Sequence, residues 1–103
     1  MGIRLSLSTK ITSTGASTLL AVPDPYIAFL KRLSISNEAT ALATVQIIHV
    51  NGTFAKPVLT LKIASGATIV LNEEELPTEA FPTAIALSTD QQPLYVDFSV
   101  ELE

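Results

Sequence analysis

The chain has 103 residues, no cysteine, six basic residues, ten acidic ones and a net charge of -4. That is one domain long enough to bury its own core, and with 48% hydrophobic residues it is not a disordered chain. The missing cysteines exclude a disulfide framework and thiolate metal sites, and an acidic chain whose only adjacent basic pair is Lys31-Arg32 lacks the cationic cluster that nucleic acid requires. Charged residues make up only 16%, which suits a surface partly covered by neighbours and equally a β-protein rich in Ser and Thr.

No run approaches the roughly 18 apolar residues that span a bilayer, and MGIRLSLSTK has neither an apolar h-region nor a small-residue cleavage site. No membrane partner or signal peptide is expected. Met1-Gly2 followed by Ser6 matches an acylation pattern superficially, but Ile3, Leu5 and Leu7 already read as a strand.

That first strand alternates Ile3, Leu5 and Leu7 with Arg4, Ser6 and Ser8 and runs on to Ile11. Thr12 to Thr18 is small and polar, a loop or a loosely held edge. Leu19, Leu20 and Val22 follow and stop at Pro23-Asp24-Pro25, where two prolines remove amide donors. Tyr26 to Ser36 is the second long strand, with Ile27, Phe29, Leu33 and Ile35 on one face and Lys31 breaking the series.

After a turn at Asn37 to Thr40 comes a strand carrying Val45, Ile47 and His49 on one side and Gln46, Ile48 and Val50 on the other. Both faces are mostly apolar, which places it inside a sheet. Asn51-Gly52 predicts a tight type I′ hairpin turn, the feature around which the rest of the chain is organised. Thr53 to Lys56 returns, and Pro57 confines that strand to an edge or a bulge. Leu59, Leu61 and Ile63 mark the next strand, Ser65-Gly66 a turn, and Ala67 to Leu71 a further return.

Asn72 to Glu75 is the one charge run. An irregular connection with Pro77 and Pro82 crosses between sheets to a strand at Thr83 to Ser88, with Ile85 and Leu87 on one face. The last strand alternates Leu94, Val96, Phe98, Val100 and Leu102 with Tyr95, Asp97, Ser99 and Glu101. About eight strands with turn signals every 8–12 residues predict an all-β, antiparallel β-sandwich, jelly-roll or immunoglobulin-like in strand order.

No constellation predicts catalysis. The lone His49 reads as a packed or interfacial histidine bonded to backbone, its one sharper role being a pH-sensitive contact between subunits. Glu73, Glu74, Glu75, Glu79 and Asp90 suit a solvated rim better than a calcium loop, since no EF-hand spacing is present. There is no Gly-x-Ser-x-Gly elbow and no glycine-rich phosphate loop. Asn51-Gly52-Thr53 is a glycosylation sequon that the turn already accounts for. The expectation is a protein that is not an enzyme and needs neither metal nor cofactor.

Tyr26 to Asn37, the polar turn after it, Thr44 to Ile47 with its hairpin, Leu59 to Leu71, the acidic proline-marked loop and the last alternating strand form a pattern that resembles the small β-sandwich virion proteins of tailed bacteriophages. Capsid decoration (cement) proteins are among them. The resemblance spans roughly Val22 to Leu102. It implies a non-enzymatic virion protein, made in the host cytoplasm, that assembles as a homotrimer on the capsid and clamps neighbouring major capsid subunits.

On this view residues 1–20 form an N-terminal strand or arm, intersubunit in role, and residues 21–103 the sandwich. Ile3, Leu5, Leu7, Ile11, Leu19 and Leu20 are then the candidate interface, with the first strand adding to a neighbour's sheet. Other roles consistent with the pattern are a small tail, neck or fibre component, or a receptor- or glycan-binding module using Pro23-Asp24-Pro25, Glu73 to Glu75 and Asp90 to Gln92. A cytoplasmic β-domain of another role is the plainest alternative.

Overall fold

The computed structural model describes residues 2–103. Eight strands follow one another: β1 (Ile3–Ile11), β2 (Gly15–Ala21), β3 (Ala28–Asn37), β4 (Ala43–Asn51), β5 (Phe54–Ile63), β6 (Thr68–Leu71), β7 (Ala84–Thr89) and β8 (Leu94–Leu102). Between β6 and β7 lies one 3-10 turn, Glu73–Glu75. The strands form two four-stranded sheets, β1-β8-β3-β6 and β2-β7-β4-β5, here the first and second sheet.

The pairing follows from the hairpin. Ala43 pairs with Ile63, Leu33 with Leu71, Gly15 with Thr89 and Ile3 with Leu102. Each pair is nearly symmetric about the Gly52-Thr53 turn. The chain is thus one long antiparallel ribbon, β4 with β5, β3 with β6, β2 with β7 and β1 with β8. The ribbon then rolls so that β3 also meets β8 and β4 also meets β7. That is jelly-roll order, which decides between the two topologies the sequence allows.

Alternation supplies the core. Val96, Phe98 and Val100 of β8 face Val45, Ile47, Ile85 and Leu87 of the second sheet, all at most 2% exposed. Each such side chain contributes roughly 1.5–3 kcal/mol on burial. Phe81, fully buried, plugs one end, where Ala28 and Phe81 exchange both backbone hydrogen bonds at 2.9 and 2.7 Å. Asn37 closes the other. Its Nδ2 donates to the carbonyls of Ala41 (2.9 Å) and Ile63 (2.8 Å), and its Oδ1 accepts from the Ala39 amide (2.9 Å).

Of the two readings of Thr12 to Thr18, the edge holds from Gly15, where β2 begins and pairs with β7. Three expectations are corrected. In β3 the inner face is Ala28, Leu30, Leu33 and Ile35, not Ile27 and Phe29. A bulge between Leu30 and Arg32 makes Lys31 the extra residue and reverses the parity of the strand. The stretches read as two strands, Thr53 to Lys56 and Leu59 to Ile63, are one, β5, which starts at Phe54 and passes Pro57 by a bulge at Val58 on the sheet edge. The turn is also one residue further on. Asn51 pairs with Phe54, and only Gly52 has positive φ (61°), the pattern of a type II′ turn with glycine first.

Candidate functional site

Among the described residues no group of three or more His, Asp or Glu side chains is gathered as a metal site. No helix is long and apolar enough to cross a membrane. His49 Nε2 donates to the Ala80 carbonyl at 2.9 Å, which leaves Nδ1 facing Glu79 Oε2 at 3.9 Å. Glu79 also meets Lys56 at 3.6 Å, and the imidazole lies 5.3 Å from the Phe81 ring. The histidine braces β4 against the connection to β7.

The glutamate run is a 3-10 turn and not an extended segment. The Asn72 amide donates to Glu75 Oε1 at 3.0 Å, and Glu73 pairs with Lys31 at 3.3 Å. A cleft of about 100 Å³ beside it is lined by Phe29, Leu30, Lys31, Glu73, Pro77 and Thr78. A shallow, open cleft of about 350 Å³ is walled by Thr44, Gln46, Ser88, Thr89 and Asp90. Asp90 Oδ1 is committed there to the Thr44 amide at 2.8 Å.

At the chain terminus Glu101 and Glu103 interact through a carboxyl–carboxylate hydrogen bond. That bond from Glu103 holds Glu101 below the ordinary glutamate range, helped by Lys31 and Arg4, and the same bond pushes Glu103 above it.

The two outer sheet faces differ in chemistry. The first sheet presents Arg4, Lys10, Arg32, Asp97 and Glu101, with Arg4 and Glu101 paired at 3.5 Å and Ser8 donating to Asp97. The register of the second sheet aligns its outward side chains in rows. Ala21, Ala84, Val50 and Ala55 form one; Thr18, Ala86, Ile48 and Pro57 the next; Ala16, Ser88, Gln46 and Thr60 the third. These twelve positions carry no charge. Lys62 and Asp90 stand only at the far end, beside Thr44. At the near end the β4–β5 hairpin is pinned by the Gly52 amide donating to Thr83 Oγ1 at 2.8 Å; its Phe54, 81% exposed, pairs with Asn51 and stands on the side of His49 and Lys56, opposite these rows.

Of the residues nominated from sequence, Ile3, Leu5, Leu7 and Ile11 lie on the inner side of β1, and Leu19 and Leu20 stand in β2. Ile11 is buried, Leu5, Leu7, Leu19 and Leu20 are half-buried against the core, and Ile3 is exposed. β1 and β2 edge different sheets and are joined by a three-residue turn, so the six residues gather along one open side of the sandwich. Sequence reasoning missed Phe54 and the uncharged rows. Their signals were a phenylalanine just past the turn and the absence of charge on both faces of β4.

No protein-family model matches the chain, and no curated protein sequence matches it. Solved structures do. The fold is similar to that of PirA (TM-score 0.62, 13% identity, 91% of this chain and 92% of that one). It is similar to a subunit of the Bacillus endospore appendages described as disulfide-linked pili (0.61, 11%, 99% and 84%). It is also similar to the Drosophila NLP core, whose structure is described in terms of pentamer formation and histone binding (0.52, 14%, 92% and 96%). At these identities the likeness is one of fold.

Proposed function

We propose that this protein is a non-enzymatic structural subunit that works in a homo-oligomer, in its specific form a bacteriophage capsid decoration protein. The observation that carries this reading is the uncharged outer face of the second sheet. Its two rows nearer the hairpin are apolar apart from Thr18, and a contiguous apolar face suits a surface covered by a partner. Strand spacing and rise give the three rows roughly 400 Å², about half of the 800 Å² per partner that a stable interface buries.

Two of the similar folds support the reading, since one comes from pili and one from a pentamer. The mode of linkage in such pili is not transferable, because this chain has no cysteine. The trimeric state, the major capsid protein as partner and the virion location come from the resemblance to phage decoration proteins. Sedimentation of the purified protein with undecorated phage heads tests them: saturable co-sedimentation is expected, and failure to bind heads overturns the decoration role. The rival glycan-binding module would use the loops at Pro23 to Pro25, Glu73 to Glu75 and Asp90 to Gln92; the cleft at Asp90 has no aromatic lining for a sugar to stack on, and the one at Glu73, lined by Phe29, holds only about 100 Å³.

A further inference from the structure

We propose that β1 accepts an extended strand from another protein, apolar on one face and bearing carboxylates about six residues apart on the other. This rests on the reading of the protein as an assembly subunit, but it concerns a different surface from the uncharged face.

A free sheet edge exposes unpaired N–H and C=O groups, and proteins ordinarily guard such edges with prolines, bulges or short strands. Three of the four edges here are guarded in that way. β5 carries Pro57 and a bulge at Val58, β2 has a bulge at Leu19, and β6 is only four residues long. β1 has none of these. Its nine residues pair with β8 without a break, from Ile3 with Leu102 to Ile11 with Leu94, and its other side is free.

The one guard β1 carries is charge, and it is selective. Arg4 and Lys10 stand six positions apart on the outer face, the same side of an extended strand. Arg4 is half-exposed with Glu101 at 3.5 Å, and Lys10 lies over the Tyr95 ring at 5.1 Å with no carboxylate within 4 Å among the described residues. A second copy of β1, antiparallel and fully overlapped, would set Arg4 against Lys10 at both ends. Like charges directly opposite destabilise a pair of strands. An acidic strand meets the same two cations favourably. β8 already shows the matching chemistry: Glu101 stands opposite Arg4, while Val96, Phe98 and Val100 alternate inward beside Leu5 and Leu7. A strand of that pattern on the free side extends the apolar cover over the half-exposed Leu5 and Leu7.

A labelled peptide of residues 94–103, LYVDFSVELE, is the probe, titrated into the intact protein by fluorescence anisotropy. Hydrogen exchange along β1 is followed in parallel. Saturable binding that slows the β1 amides is expected. The double variant Arg4→Gln, Lys10→Gln, with unchanged circular dichroism, should bind roughly fivefold more weakly. No binding, or equal binding by the two proteins, overturns the proposal. So does slow exchange of the outward β1 amides without peptide, which would mean that a second copy already covers the edge. Solution mass is read separately: an oligomer that ignores the peptide sinks only this proposal, and a monomer that binds it sinks only the assembly reading.

Discussion

Asn37 is 1% exposed and ties the β3–β4 turn, at Ala39 and Ala41, to the end of β5 at Ile63 with one side-chain amide. Asn37→Ala would leave the Ala41 and Ile63 carbonyls and the Ala39 amide without these partners in a closed site. Buried unsatisfied groups cost about 1–3 kcal/mol each before relaxation, so a loss of about 3 kcal/mol is expected in denaturant unfolding, and a loss below about 1 kcal/mol would contradict the role. The Glu101–Glu103 contact gives a pH prediction whose sign follows from the two shifts. The raised Glu103 contributes stability at acid pH that is lost as pH rises through its folded pKa; the lowered Glu101 contributes above its unfolded pKa and loses it as pH falls. The pair is therefore favourable in the window between them, where one proton is shared, and repulsive once both are ionised. Glu103→Gln keeps a donor for Glu101 and removes that repulsion. Its melting temperature should equal or exceed that of the parent at about pH 7, with the advantage gone at about pH 4; a lower value at neutral pH would refute this.

At the scale of elements, the β4–β5 hairpin is the centre from which the ribbon runs outward. Gly52 has φ of 61°, and an added Cβ there would meet no atom within 4 Å. The cost of Gly52→Ala is thus conformational and not steric crowding, expected at about 1–2 kcal/mol by equilibrium unfolding. A neutral substitution would mean that the turn is not held in this geometry. Regular alternation made β1, β4 and β8 legible in the sequence, since a half-buried strand shows its period directly. What escaped was set by bulges and local turn chemistry. One extra residue at Lys31 inverted the inner face of β3, and Val58 carried β5 past a proline that read as a break. β2 was obscured because its first residues, Gly15 to Thr18, are small and polar on an edge strand. The uncharged face was invisible for another reason: it exists only once β2, β7, β4 and β5 are placed side by side, and no single segment contains it.

For the whole molecule, the distribution of charge decides the account. One outer face carries paired ions and is suited to water, while the other has twelve uncharged outward positions, with Ala84 and Ala86 sunk between their neighbours. Ile48 stands in the middle row, its neighbours Ile47 and Leu87 buried behind the sheet. Ile48→Glu should therefore leave the fold intact and disrupt self-association. Light scattering on a size-exclusion column reads self-association through this face. The native chain should run as a species near three times its 11.0 kDa subunit mass, and Ile48→Glu should return it to a folded monomer. A native protein that stays monomeric across the accessible concentration range, with Ile48→Glu indistinguishable from it, would contradict the account.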